Sequence, residues 1–448
     1  MANKFAIEIF IMKKYICFLG LLAGLSTQLK AQDEPVMLDS ATVENCVSYA
    51  MEHYPLLKQS YVQQEITNSQ IKGKLADWYP QIRLDGSYQY NFQLPSTLFQ
   101  GVPTKAGVKN NSGLQLGLTQ NIFNRDALLA SSTKSLVEKS TEQDIEATKI
   151  DVAVNVSKSF YDVLLTEKQL LILDEDILRL KASLKDATNQ YKGGIVDKID
   201  YKRATIALNN IQAQRTSTAE LLKAKYASLK ELMGYPADQP LSLHTDSSVL
   251  ENIAYLDTTQ VVNYKDRIEY QQLETQEQLQ MANLKYEKWG FIPTLSAFAN
   301  YNLNYMNDDF GKLYKDNFPN SFAGLQLGFP IFQGGKRKQN IRQANFEIDL
   351  VRLSKENFIN AANTQYEAAM AVYKSDLSTY LALKENVDLA SDVYNTISLQ
   401  YKAGIKIYLD VITAEADLRT AQVNFSNALF QLLSDKLEVE RALGLIRY

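Results

Sequence analysis

Hydrophobic positions along the chain change period several times. From Gln81 to Phe92 they alternate strictly, with Ile82, Leu84, Gly86, Tyr88, Tyr90 and Phe92 on one side and Gln81, Arg83, Asp85, Ser87, Gln89 and Asn91 on the other. This is the period-2 pattern of a strand with one apolar face. Leu295, Ala297, Ala299, Tyr301, Leu303 and Tyr305 alternate in the same way against Thr294, Ser296, Phe298, Asn300, Asn302 and Asn304, and only Phe298 breaks the polar side. Each strand leads into a loop rich in Gly, Asn, Asp and Pro (94–112 and 306–322) and then a second strand (113–123 and 323–332), which predicts two β-hairpins, 81–123 and 293–332. The period then becomes helical. Val152, Val156, Phe160, Val163, Leu170, Leu173, Ile177, Leu180, Leu184, Ala187 and Tyr191 keep a three-four spacing. Ile341, Ala344, Ile348, Val351, Phe358, Ala362, Tyr366, Ala369, Tyr373, Leu377 and Tyr380 repeat it. The predicted helices, 127–191 and 336–402, are about 65 residues or about 100 Å each. Return helices are predicted over 197–233 and 406–443, and 39–78 and 258–290 also read as helical.

The similarity between the halves extends to residue identity. Gly113-Leu114-Gln115-Leu116-Gly117 recurs as Gly324-Leu325-Gln326-Leu327-Gly328 at an offset of 211, and Gln190-Tyr191-Lys192-Gly193-Gly194-Ile195 recurs as Gln400-Tyr401-Lys402-Ala403-Gly404-Ile405 at 210. Leu232-Met233-Gly234 answers Ala442-Leu443-Gly444 at 210, and Tyr79-Pro80 answers Ile292-Pro293 at 213. One nearly constant offset indicates an internal duplication. The expected repeats are 32–234 and 258–448, joined by an equatorial linker over 235–257. The segment before them, 1–31, has the order of a secretory signal: Lys13-Lys14, an apolar run from Tyr15 to Leu25, then small and polar residues to Ala31, with the true start expected at Met12. The run is too short for a spanning helix, and Cys17 lacks the small residues before it that a lipid anchor requires.

Composition fits long elements. There are 19 Gly and 10 Pro in 448 residues, about 6.5% together, where average usage gives roughly 12%. Removing 1–31 moves the formal charge from −4 to 43 − 50 = −7, so no basic footprint for nucleic acid exists; Lys336-Arg337-Lys338 reads as a solvated face. His53 and His244 are the only histidines and lie far apart. With no metal-ligand spacing and no phosphate-cradling Gly loop, neither an enzyme, a metal site nor a cofactor is expected. Cys46, the lone cysteine after the leader, reads as a small buried hydrophobe.

Geometry constrains the assembly. Four ten-residue strands cannot close a membrane barrel, whose minimum is eight, and an open edge is not tolerated in lipid. Cyclic association would close both strands and helical rods. Tyr88, Tyr90, Phe92, Tyr301 and Tyr305 fit an aromatic girdle at a lipid interface, although a packed core would use the same residues. A secreted or surface helical scaffold, an adhesin stalk without channel activity, is the alternative.

Pro330-Ile331-Phe332-Gln333-Gly334-Gly335, Thr119-Gln120-Asn121-Ile122-Phe123, the two Tyr-x-x-Gly-Ile tips and the duplication together resemble the TolC-type outer-membrane efflux proteins, over nearly the whole chain after the leader. The resemblance implies a mostly α-helical homotrimer of a Gram-negative outer membrane, with a 12-stranded β-barrel built from four strands per protomer and a long α-helical barrel in the periplasm. It also implies passive export in a tripartite efflux or type I secretion system, with a periplasmic adaptor (membrane fusion protein) and an inner-membrane RND or ABC pump. In such proteins the helix tips close the tube. The residues six past the tip glycines Gly194 and Gly404 are Asp200 and Asp410, which on a threefold axis would crowd six carboxylates into a cation-binding gate. Tyr401 and Lys406 match positions that tie neighbouring coiled coils together, and Thr413 stands where the family has a second inner carboxylate, so a single acidic ring is expected. The same aspartates also read as first-turn charges that complement a helix dipole. Tyr191, Gly193, Gly194, Ile195, Ala403, Gly404 and Ile405 match the sites where the adaptor docks, and also read as ordinary helix ends.

Overall fold

The structure, a computed structural model, describes residues 38, 40–99, 101–194, 197–244 and 247–448, and its elements belong to one unit, 39–448. The leader expected over 1–31 lies outside the described residues.

Two helices open the unit, α1 (Val43–His53) and α2 (Pro55–Ala76). They are separate because Tyr54, forced by the following proline into an extended conformation (φ −63°, ψ 125°), cannot continue a helix. Strand β1 (Gln81–Tyr90) follows, then a small antiparallel ribbon of β2 (Ser96–Phe99) and β3 (Val102–Lys105), then β4 (Asn110–Phe123). The ribbon replaces the irregular loop expected over 94–112; Gly101 turns it at φ +80°. Helix α3 (Arg125–Lys192) is 68 residues long, about 100 Å, and α4 (Lys198–Met233) returns beside it. A short helix α5 (Ser247–Ile253) lies within the linker region.

The second half gives α6 (Ile268–Trp289), β5 (Thr294–Asn307), β6 (Asn320–Gly328), α7 (Lys336–Lys402) and α8 (Tyr408–Leu443). Strand β6 stops short of residue 332, since Pro330 has no N–H for a ladder. Among the described residues, no helix is long and apolar enough to cross a membrane.

The four long strands form one antiparallel sheet in the order β1-β4-β5-β6. Registers such as Ile82↔Leu118↔Ala299↔Ala323 and Asp85↔Gln115↔Asn302↔Asn320 keep apolar and polar faces separate across it. The apolar face is bare in the protomer, with Ile82 71% and Leu325 70% exposed. The helices bury their stripes against one another instead: Val156, Phe160 and Val163 of α3 and Leu432, Leu433 and Val439 of α8 are buried, as is Cys46 of α1. At mid-length Tyr373 of α7 donates to the Ala254 carbonyl (2.9 Å) and accepts from the Leu256 amide (2.8 Å), so a buried phenol fixes the linker to the second half.

Candidate gate at the helix tips

Both tips are built by a glycine. Helix α3 ends at Gly193, and the next residue, Gly194, takes φ +73°; α7 ends at Ala403 and Gly404 takes φ +76°. Any side chain would strain this left-handed position, which reverses the chain within a few residues. The Gly194 amide donates to the Tyr191 carbonyl (3.0 Å) and the Gly404 amide to the Tyr401 carbonyl (2.9 Å). Gly193, Gly194, Ala403, Gly404 and Ile405 are exposed, Ile405 at 74%. Ile195 lies outside the described residues.

The next helices begin differently. The Asp197 carboxylate accepts from the Ile199 amide (3.3 Å) and caps α4, while α8 starts from Ile407, which offers no capping side chain. Asp200 and Asp410 both sit in the first turn, half-buried. Asp410 pairs with Lys406 four residues earlier (3.8 Å), so within the protomer Lys406 serves its own tip. The exposed Thr413 donates to the Leu409 carbonyl (2.9 Å).

Tyr401 reaches across to the other tip and donates to Gln190 Oε1 of α3 (3.0 Å). Its ring, with buried Tyr408 and Val411 of α8, packs on Ala204 of α4. Burial first, then the charges of Asp200 and Asp186, raises the Tyr401 phenol above its ordinary value. Tyr408 is raised further, by burial first and then Glu415, with Asp200 a smaller cause. The structure therefore brings Asp200, Tyr401 and Tyr408 into one electrostatic neighbourhood. Tyr191 stays 40% exposed and meets the ring of Tyr201 at this tip (5.2 Å between centroids).

Further along the rods lies a charged cluster that sequence reasoning missed. Asp176 of α3 and Glu415 of α8 are 0% and 1% exposed. Arg419 Nη1 is 2.7 Å and Arg179 Nη2 3.3 Å from the Asp176 carboxylate, and Arg179 Nε is 3.6 Å from Glu415 Oε1. Burial, helped by the Asp176 charge, pushes Glu415 up to about 8 despite the two guanidiniums. A second buried acid, Asp435, lines a cavity of about 540 Å³ with Arg267 and Glu269, and burial together with Asp376 raises it to about 6. Both are spaced among acidic and basic neighbours that resemble a solvated face. The available signal was position: Asp176 falls within the apolar spacing of Leu173, Ile177 and Leu180, and Glu415 within that of Val411, Ala414 and Leu418. Among the described residues, no group of three or more His, Cys, Asp or Glu side chains could hold a metal ion.

Paired rods, glycine-built tips and a one-faced antiparallel sheet define a class, and the model of one family, outer membrane efflux protein, matches residues 46–235 and 267–445; the chain belongs to that family. It is an outer-membrane protein whose helical part extends into the periplasm. Among its relatives, the outer membrane protein TolC of Escherichia coli (strain K12) is 21% identical over 457 residues, covering 97% of this chain and 87% of that protein. The toluene efflux pump outer membrane protein TtgC of Pseudomonas putida is 21% identical over 380 residues, covering 84% and 77%. The CmeC outer membrane channel of Campylobacter jejuni has the same fold, with a TM-score of 0.71 at 17% identity over 92% of this chain and 90% of that one.

Proposed function

We propose that three copies of this chain close into a passive exit duct, a 12-stranded barrel in the outer membrane continued by a helical barrel about 100 Å long in the periplasm. The observation that carries this reading is the sheet: its apolar face is bare, and β1 and β6 stand at its edges. Lipid would cover the face, while only further strands can satisfy the edges. Cyclic repetition supplies both and leaves no edge.

In this reading the tips form the periplasmic gate. Asp200 and Asp410 of three copies would converge there, with Thr413 one turn further inside and Lys406 partly neutralising Asp410. The Tyr401–Gln190 bond would hold the two tips of each copy together. The exposed Ile405 beside Gly404 would offer the docking point for a helical periplasmic adaptor, which couples the duct to an inner-membrane pump of the RND or ABC type. Energy would come from that pump, since the duct itself performs no catalysis. The relative named for toluene efflux supports efflux as the role, with small aromatic solutes as a cargo class.

Purified protein reconstituted in a planar bilayer tests the duct. Cation-selective conductance is expected, and Asp200→Ala with Asp410→Ala should enlarge it and weaken block by divalent cations. Absence of conductance, with extraction by salt instead of detergent, would overturn the duct; unchanged conductance in the double variant would overturn the gate alone.

A further inference from the structure

One place on the sheet departs from its two-faced pattern. At two successive levels the polar face reads Arg83, Gly117, Asn300, Phe322 and then Gln81, Thr119, Phe298, Gly324 across β1, β4, β5 and β6. Phe298 and Phe322 therefore stand on the polar side. Their ring centroids are 6.2 Å apart at an interplanar angle of 73°, an edge-to-face pair. Phe298 lies over Gly324, where a Cβ would come within 2.9 Å of its Cζ, so a glycine is needed for the ring to take this place. Phe322 remains 52% exposed.

The surrounding wall does not use these rings. Gln115 donates to Asn300 (2.8 Å) and Asn302 to Asn320 (2.6 Å), so neighbouring amides satisfy one another. We propose that the Phe298–Phe322 pair is a lumenal station for aromatic solutes in transit, resting on the duct reading in which the polar face lines the bore. A ring pair in a wall of amides, with Phe322 exposed and Phe298 half-buried, gives a passing aromatic a stacking partner, and gives an aromatic cation a ring face as well. Stacking does not depend on the exact solute, which suits a duct. Because Phe322 is on an edge strand, β1 of a second copy would run beside it; the rings stay available to solute only if that strand leaves them open to the bore.

The test compares two monovalent cations, tetraphenylphosphonium and the aliphatic tetrabutylammonium, added on the barrel side of the purified full chain in a planar bilayer. The aliphatic ion reports attraction by carboxylates elsewhere, so the ratio of the two blocking concentrations isolates the aromatic contribution. The wild type should favour the aromatic ion. In Phe298→Ala/Phe322→Ala the ratio should fall roughly fivefold or more, the scale of one lost stacking contact. Gly324→Ala, which keeps both rings but displaces Phe298, should lower the ratio too, and Phe322→Trp should preserve it. A ratio near one in the wild type, as expected if a second copy covers Phe322, or an unchanged ratio in the double variant, would overturn the station while leaving the duct intact. No conductance from any variant would overturn the duct, and the station with it.

Discussion

At the first tip the turn is closed from within, and at the second from outside. Asp197 caps its own helix, and Tyr191 is left 40% exposed. The second tip has Ile407 in the capping position, and Tyr401 and Tyr408, 8% and 0% exposed, are buried against Ala204 of the first half. Two turns with the same glycine and the same spacing thus depend on different interactions. The backbone geometry needs only the glycine, and the residues after it are free to diverge. The second tip has exchanged local capping for tertiary contact, so its first turn depends on the two halves staying together.

The largest test of that dependence is the buried cluster joining α3 to α8. Asp176→Ala takes from Arg419 and Arg179 their shared carboxylate, leaving Arg179 with Glu415 and Glu175, and should cost about 3 kcal/mol, read as a lower midpoint in denaturant or thermal unfolding followed by circular dichroism. A loss under about 1 kcal/mol would mean that apolar packing alone holds the halves. Glu415 supplies the next effect. Its folded value, about 8, lies above the ordinary 4.5, so the folded chain binds the proton more tightly than the unfolded one. Stability is then full below about 4.5 and falls as pH rises toward about 8. Glu415→Gln should flatten the decline across that window; an unaltered slope would assign it to other groups.

Smaller effects separate the tips themselves. Tyr401→Phe and Gln190→Ala, combined in a double-mutant cycle, should show a coupling of about 1 kcal/mol, whereas additive losses would mean independent tips. Asp197→Ala should cost about 1 kcal/mol, seen as faster amide exchange in the first turn of α4. Ile407→Asp should stabilise α8 by a few tenths of a kcal/mol, less because tertiary contacts already hold that turn; a gain as large as the Asp197 loss would make burial of Tyr401 and Tyr408 unimportant there.

The elements most legible in the sequence are those specified by local pattern. Alternation from Gln81 and from Thr294 marks β1 and β5, and Gly194 and Gly404 mark the reversals because few other residues tolerate their conformation. The ribbon β2–β3 was not legible, since its eight residues include Pro103 and its turn Gly101, the same types that mark an irregular loop. The buried cluster was hidden for another reason: a charge every three or four residues looks solvated until a second helix, 243 residues away along the chain in the Asp176–Arg419 contact, covers it. For the proposed gate, the sequence supplied the spacing of Asp200 and Asp410, but the Tyr401–Gln190 bond needs the relative placement of two rods, which no local pattern encodes.

The sheet order β1-β4-β5-β6 has a consequence for the timing of assembly. Its central pair joins distant segments; the Asn110 side chain donates to the Asn307 carbonyl, 197 residues further on. Between them the chain runs the whole of α3 and back along α4. Such a long loop closes late, so the first half can be synthesised and exported with β1 and β4 still waiting for β5. In the proposed duct, membrane insertion would follow that pairing, and until then the bare apolar face of the sheet would stand in water. A nascent protomer should thus be most vulnerable to aggregation and proteolysis in the interval between release of β4 and arrival of β6.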